Sequence, residues 1–252
     1  MTERPETFED SGRRLARAID ASVARMVEGR SRIAVAFSGG LDSSIIALCT
    51  KRRTGVVACS AFAEGALDSR SASRGAAILG IELIATRLTR EAVASEQKEM
   101  DLPFQTSLMD RSLWCLYSIV SKSAAGEGAE VIMLGQLADE LFGGYAKYQA
   151  ILTDAGEEAA AAIMDQDVKE YQARGIARDV NACSRWLEPR FPFAEKEVVD
   201  LGRSIPVSFK IRGGVRKVIL REAAVVLGVP RELVNAPKKA AQYSSGIQRI
   251  TR

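Results

Sequence analysis

Histidine is absent from all 252 residues. That excludes every mechanism built on an imidazole: Ser-His-Asp and Cys-His nucleophilic catalysis, and His-ligated metal centres. Acid–base work must fall to carboxylates, lysine, tyrosine or the substrate itself. Cysteine is scarce. Cys49, Cys59, Cys115 and Cys183 form no C-x-x-C pair, so neither a zinc knuckle nor a local redox pair is supported, and they read as buried, inert thiols. Long apolar runs are missing too; none approaches the ~18 residues of a membrane helix. The opening MTERPETFED is polar and charged, with no apolar signal core. A cytoplasmic location without membrane contact is the expectation. Charge of one sign is also lacking. Lys and Arg number 35 against 32 Asp and Glu, a formal +3, which falls short of the concentrated basic face that nucleic-acid binding demands.

What is present is globular: 47% hydrophobic and 27% charged residues, in a chain near the upper size of one domain. Leu15, Ile19, Val23 and Met26 recur at helical spacing, predicting an opening helix from Ser11 to about Val27. Short apolar runs then alternate with helical patterns. Strands are predicted at Ile33–Phe37, Gly55–Phe62, Ile81–Leu88 and Glu130–Leu134. Helices are predicted from Asp42 to about Lys51, over Ser71–Leu79, after the cap Thr89, and over Asp110–Ala125. This alternation predicts an α/β fold with a doubly wound parallel sheet. After about Tyr145 the strand signals stop. Ala159–Gln172, Phe193–Arg203 and Gly214–Leu227 read as helices. The expectation is one domain, with an α/β nucleotide-binding part to about residue 145 and a helical C-terminal extension over about 146–252.

The first predicted strand runs into Ser38-Gly39-Gly40-Leu41-Asp42-Ser43-Ser44. Two glycines let the backbone turn sharply and bring its N–H groups to an anion. The following helix points its positive N-terminus at the same place. The loop is neither a Walker loop nor G-x-G-x-x-G. Asp42 would repel a bare phosphate but makes sense as a Mg²⁺ ligand bridging to polyphosphate oxygens. A glycine-rich turn with Ser and Asp as caps fits the same residues. A second loop, Gly135-Gln136-Leu137-Ala138-Asp139-Glu140-Leu141-Phe142-Gly143-Gly144-Tyr145, follows the fourth strand. Its adjacent carboxylates suit either a helix N-terminus or a metal.

These two loops resemble the pyrophosphate loop of the N-type ATP pyrophosphatases and the G-x-G-A-D-E-L-F-G-G-Y signature of their asparagine synthetase branch. Leu187–Phe193, Lys217–Ala223 and Pro237–Gly246 are more loosely similar to later family elements. The resemblance implies the adenine nucleotide alpha hydrolase fold and ATP cleavage between the α and β phosphates, with Mg²⁺ as cofactor. It implies nucleotide contacts at Ala36, Ser38, Gly39, Gly40, Asp42, Ser43, Ser44, Ser60, Phe62 and Gly135. It places metal at Asp42 and Asp139. Lys239 (with Lys238 beside it), Glu140 and Lys217 are the candidate catalytic residues.

Three departures shape the reading. Thr2 follows Met1 where full asparagine synthetases carry a nucleophilic cysteine, and only about 30 residues precede the first strand. Glutamine hydrolysis is therefore expected to be absent. The family glutamate after the first glycine of the second loop is Gln136, which can orient a substrate but cannot deprotonate ammonium. A phosphate-contacting lysine of the family has no clean counterpart; Arg178 is a candidate to serve instead, and a merely solvated arginine is at least as good a reading. The expected activity is an ATP-dependent ligase that adenylates a carboxylate such as aspartate and transfers ammonia or another amine. Its partners are small-molecule acid and amine substrates, and a separate amidotransferase subunit and self-association are compatible with it. A tRNA-modifying ATP pyrophosphatase and a non-catalytic nucleotide-binding subunit are the alternatives.

Overall fold

The computed structural model describes residues 7–236 and 241–251. The opening helix α1 (Phe8–Val27) is capped by the Thr7 side chain and buries Leu15, Ile19 and Val23. Strands β1 (Arg32–Ala36), β2 (Gly55–Phe62), β3 (Glu82–Arg87) and β4 (Val131–Met133) alternate with α2 (Leu41–Lys51), α3 (Leu67–Leu79), α4 (Arg90–Lys98) and α5 (Leu108–Gly126). Ser107 and Asp110 close a reciprocal capping box on α5, which fixes that helix's start one turn before the apolar periodicity becomes visible.

The expected doubly wound parallel sheet is present. Its order is β3-β2-β1-β4-β5, and every pairing in it is parallel. The chain winds outward from β1 to β3, then crosses back to begin again at β4. That reversal lies between β1 and β4, where Ile33 pairs with Val131 and Val35 with Met133. Loops leaving the C-terminal ends of two strands diverge there, which is where such sheets bind ligands.

Alternation along the strands feeds two cores. Ile33 and Val35 of β1 join one apolar cluster with residues of α1 and α2. Ala34 joins the other, beneath Leu113, Trp114 and Leu116 of α5. Both faces are therefore covered, as a parallel sheet requires. The four cysteines lie within these cores as free thiols, and burial pushes each up to about 12.

The second half differs from expectation first in that strands do not stop at Tyr145. α6 (Ala138–Phe142) and α7 (Ala146–Glu170) are followed by a π-turn at Tyr171–Gly175 and α8 (Ile176–Cys183). Then β5 (Glu188–Arg190) pairs with β4 as the fifth strand. Three residues, two of them charged and one a proline, carry no apolar strand signal, and proline is tolerated because this is an edge. The predicted helix Phe193–Arg203 opens as a 3₁₀ turn and becomes α9 (Lys196–Ser204). After α10 (Val207–Lys210), the stretch predicted as helix from Gly214 opens instead with the hairpin β6 (Ile211–Arg212) and β7 (Val215–Arg216), and only then enters α11 (Val218–Val226). Short helices α12 (Arg231–Val234), α13 (Ala241–Ser244) and α14 (Ile247–Thr251) follow.

Trp114 ties α5 to α8. It is fully buried and donates its indole N–H to Asn181 Oδ1 at 2.7 Å. Trp114→Ala is expected to lower the unfolding free energy by ~3–5 kcal/mol, read from urea denaturation. A loss below 1 kcal/mol would contradict this packing.

Candidate active site

The glycine loop leaves β1 and turns into α2. Gly39 has φ +71°, and a Cβ there would overlap the carbonyl oxygen of Ser71, so only glycine satisfies both the backbone and the space. The Ser43 hydroxyl donates to the Gly40 carbonyl at 3.2 Å, and the Gly40 N–H donates to Ser38 Oγ at 3.3 Å. Ser60 donates its hydroxyl to the Phe37 carbonyl, which holds the end of β1 against β2. Among the described residues no side chain caps α2, so its first N–H groups at the cavity are suited to an anion.

That cavity measures about 800 Å³. Of the nucleotide contacts expected from sequence, Ala36, Ser38, Gly39, Gly40, Asp42, Ser43, Ser60, Phe62 and Gly135 line it. Ser44 does not. It is fully buried, and its hydroxyl has no hydrogen-bond partner among the described residues, because one residue further along a helix turns the side chain by ~100°. Lys238 and Lys239 lie outside the described residues.

The second loop crosses the same cavity. Leu137 adopts φ +73°, rare for a non-glycine residue, with its side chain buried as an anchor. This strained turn opens α6 and puts Asp139 and Glu140 in its first turn. Asp139 then meets Asp42 across a single side chain. Lys217 Nζ lies 2.7 and 2.6 Å from the two Asp42 oxygens and 2.6 Å from Asp139 Oδ1. Lys217 is itself in the left-handed region, φ +58°, as the residue before α11, and only 3% exposed. Such a backbone costs ~1–3 kcal/mol unless its surroundings hold it. Burial works against the ammonium, but Asp139 and Asp42 outweigh it and keep its pKa above the usual lysine value. Gly144 makes room: a Cβ there would overlap Asp139 Oδ1 and lie 2.6 Å from Lys217 Cε.

Glu140 accepts the Tyr145 hydroxyl at 2.6 Å. Burial pushes its carboxyl up to about 7 against the lowering effect of that bond. Farther along the wall, Gln136 donates its amide to Asp179 Oδ2. Asp179 also accepts from Tyr171 at 3.0 Å and from Arg178 Nε at 2.7 Å. Arg178, weighed from sequence as a phosphate contact, is 2% exposed and further committed to Asp110 and Tyr171. Its geometry is that of a scaffold ion pair in the cavity wall. Tyr171 reaches this network from the π-turn, where Gly175 leaves space for its ring.

Sequence reasoning assigned no role to Tyr145, Tyr171, Asp179 or Arg221. Arg221 lines the cavity and donates to the Val234 and Arg216 carbonyls. The only signal for it was its place in the loosely matched stretch Lys217–Ala223.

Two outcomes check this geometry. Gly144→Ala should separate Asp139 from Lys217 and destabilise the fold by at least ~1 kcal/mol; wild-type stability together with unchanged ligand binding would contradict the close approach. Glu140 supplies a pH test. Its folded pKa of about 7 exceeds its ordinary 4.5, so between those values the folded chain holds a proton that the unfolded chain has lost. Stability contributed by this group therefore falls as pH rises through the window. Glu140→Gln should gain stability relative to wild type from pH 4.5 to about 7 and level off above. A difference flat with pH in urea denaturation would refute the burial argument.

The asparagine synthase family model matches residues 14–180 and 154–251. A putative glutamine-hydrolysing asparagine synthetase of Methanocaldococcus jannaschii is 30% identical over an alignment covering 97% of this chain and 51% of that protein. Asparagine synthetase domain-containing protein 1 of Mus musculus is 33% identical over 49% of this chain and 21% of its own. Among solved structures, NMN synthetase from Francisella tularensis matches with a TM-score of 0.48 and 12% identity, over 97% of this chain and 84% of that one; that likeness is too distant to bear on the chemistry. The chain spans about half the length of the first of these relatives and about a fifth of the second. On the family match, which covers most of its length, the chain belongs to the asparagine synthase family.

Proposed function

We propose that this chain is an ATP-dependent, amide-forming ligase that adenylates a carboxylic acid and passes the acyl group to ammonia or another amine. One observation carries the reading. Two loops leaving neighbouring parallel strands bring Asp42 and Asp139 onto one cation position, the Lys217 ammonium, at 2.6–2.7 Å. This happens in a cavity that also holds the glycine loop and the uncapped start of α2.

Among the described residues no cluster of three or more acidic or thiol side chains could cage a metal alone. Two carboxylates that converge on one cation instead fit the protein share of a Mg²⁺ site, which would take its other ligands from water and substrate phosphates. Asp42 and Asp139 would hold that ion. Bound there, it would neutralise charge developing on the leaving pyrophosphate.

The rest falls to this chain's own groups. The N–H groups at the start of α2 orient the β and γ phosphates. A substrate carboxylate oxygen attacks the α-phosphorus; the bond from that phosphorus to the bridging oxygen breaks, and pyrophosphate leaves. The amine nitrogen then attacks the acyl carbon, and AMP departs with the former carboxylate oxygen. The nitrogen proton must go to a base. Gln136 cannot take it. We assign that proton to Glu140, whose carboxyl is pushed up to about 7 by burial, while Lys217 balances charge on the phosphates.

The test is ATP–pyrophosphate exchange across a panel of acids that includes aspartate, with total tRNA as a separate arm. Exchange triggered by one acid, and lost by at least ~10²-fold in Asp42→Asn with the fold intact, is the expected result. Exchange with tRNA alone would move the chain to base modification. ATP binding without exchange for any substrate would contradict the ligase reading.

A further inference from the structure

We propose that Lys217 is a resident counter-ion that closes the Asp42–Asp139 pair to free divalent cations, so that metal enters only together with nucleotide. This rests on the reading above, in which the site takes ATP with a divalent ion.

The ammonium occupies the position such an ion would need. Three carboxylate oxygens, both of Asp42 and one of Asp139, lie within 2.7 Å of its nitrogen. A Mg²⁺ ion draws its oxygen ligands to ~2.0–2.1 Å, so an ion seated among these three oxygens would crowd and repel the ammonium already there. A surface lysine would yield its place to water at little cost. Lys217 is 3% exposed, and a buried ammonium that leaves its carboxylates needs another anion to receive it. Glu140, the neighbouring acid in the cavity, is engaged with Tyr145.

The placement is built into the backbone. The left-handed conformation of Lys217 roots the side chain at the start of α11, and the missing Cβ of Gly144 leaves a passage for its stem. A nucleotide changes the balance. Phosphates at the start of α2 bring anionic oxygens next to Asp42, which lies in that helix's first turn. The ammonium can then pass from carboxylate to phosphate without losing an ionic partner, and the two aspartates become free for the metal. Without phosphates, a divalent ion would have to displace the ammonium toward cavity acids that already hold partners: Glu140 with Tyr145, Asp110 with Arg178 and Asp167 with Tyr148 and Lys147. The site is thereby ordered: nucleotide and metal arrive together, and metal alone stays out.

Mn²⁺ binding to the full-length protein, read by electron paramagnetic resonance, tests this without turnover. Wild type is expected to bind Mn²⁺ at least tenfold more weakly alone than with the non-cleavable α,β-methylene analogue of ATP. Lys217→Met keeps the apolar stem of the side chain and removes its charged end. It should raise nucleotide-free Mn²⁺ affinity at least tenfold, and adding Asp42→Asn should abolish that gain. Circular dichroism confirms that each variant is folded, and the wild-type comparison needs no variant at all. Equal Mn²⁺ affinity with and without nucleotide overturns the counter-ion role and leaves the ligase reading standing. No gain in folded Lys217→Met overturns it as well. Absence of Mn²⁺ binding even with the analogue overturns both this proposal and the metal assignment.

Discussion

A buried ammonium held between two carboxylates organises this molecule. Asp42 belongs to the first crossover of the sheet, Asp139 to the loop that begins the second winding, and Lys217 to the helical half. The three come from positions spread over 175 residues. Their contact requires the parallel order that puts β1 beside β4, two non-glycine residues with positive φ and a glycine at 144. The two positive-φ residues are unfavourable locally. Together they are sustained because an uncompensated charge in this position would cost more than the strain.

Around that centre the cavity has two kinds of wall. One is backbone: the glycine loop and the uncapped start of α2, suited to phosphate because N–H groups and a helix dipole need no side chain and undergo no reorganisation. The other is a network of committed side chains, with Gln136, Asp179, Arg178 and Tyr171 each satisfying the next. Asp179 accepts three donors, so the Gln136 amide is oriented by a carboxylate that has little freedom to respond. Such a wall is rigid and polar.

Much of this was legible in the sequence, for physical reasons. The strands β1, β2 and β4 are continuous apolar runs because both faces of a parallel sheet are covered, and the two loops carry dense local signals of glycine, serine and acid. The edge strand Glu188–Arg190 was invisible because its stability comes from pairing with β4 and not from its own residues. The hairpin at 211–216 was hidden by its brevity. Ser44 lies outside the cavity lining because the helix begins within the motif, which a loop read as a string does not register. Lys217 could be named from its motif, but that it would hold both aspartates follows only from three-dimensional convergence. Tyr171 was unreadable because its position depends on a π-turn, a local irregularity that periodicity does not register.

The centre of the account is that Lys217 is electrostatically coupled to Asp42. A double-mutant cycle with Lys217→Met and Asp42→Asn, read in urea unfolding free energies, measures that coupling directly. An interaction energy of ~1–3 kcal/mol is the predicted result for charges in buried contact. Additivity within ~0.3 kcal/mol, the behaviour of distant and independent sites, would contradict it.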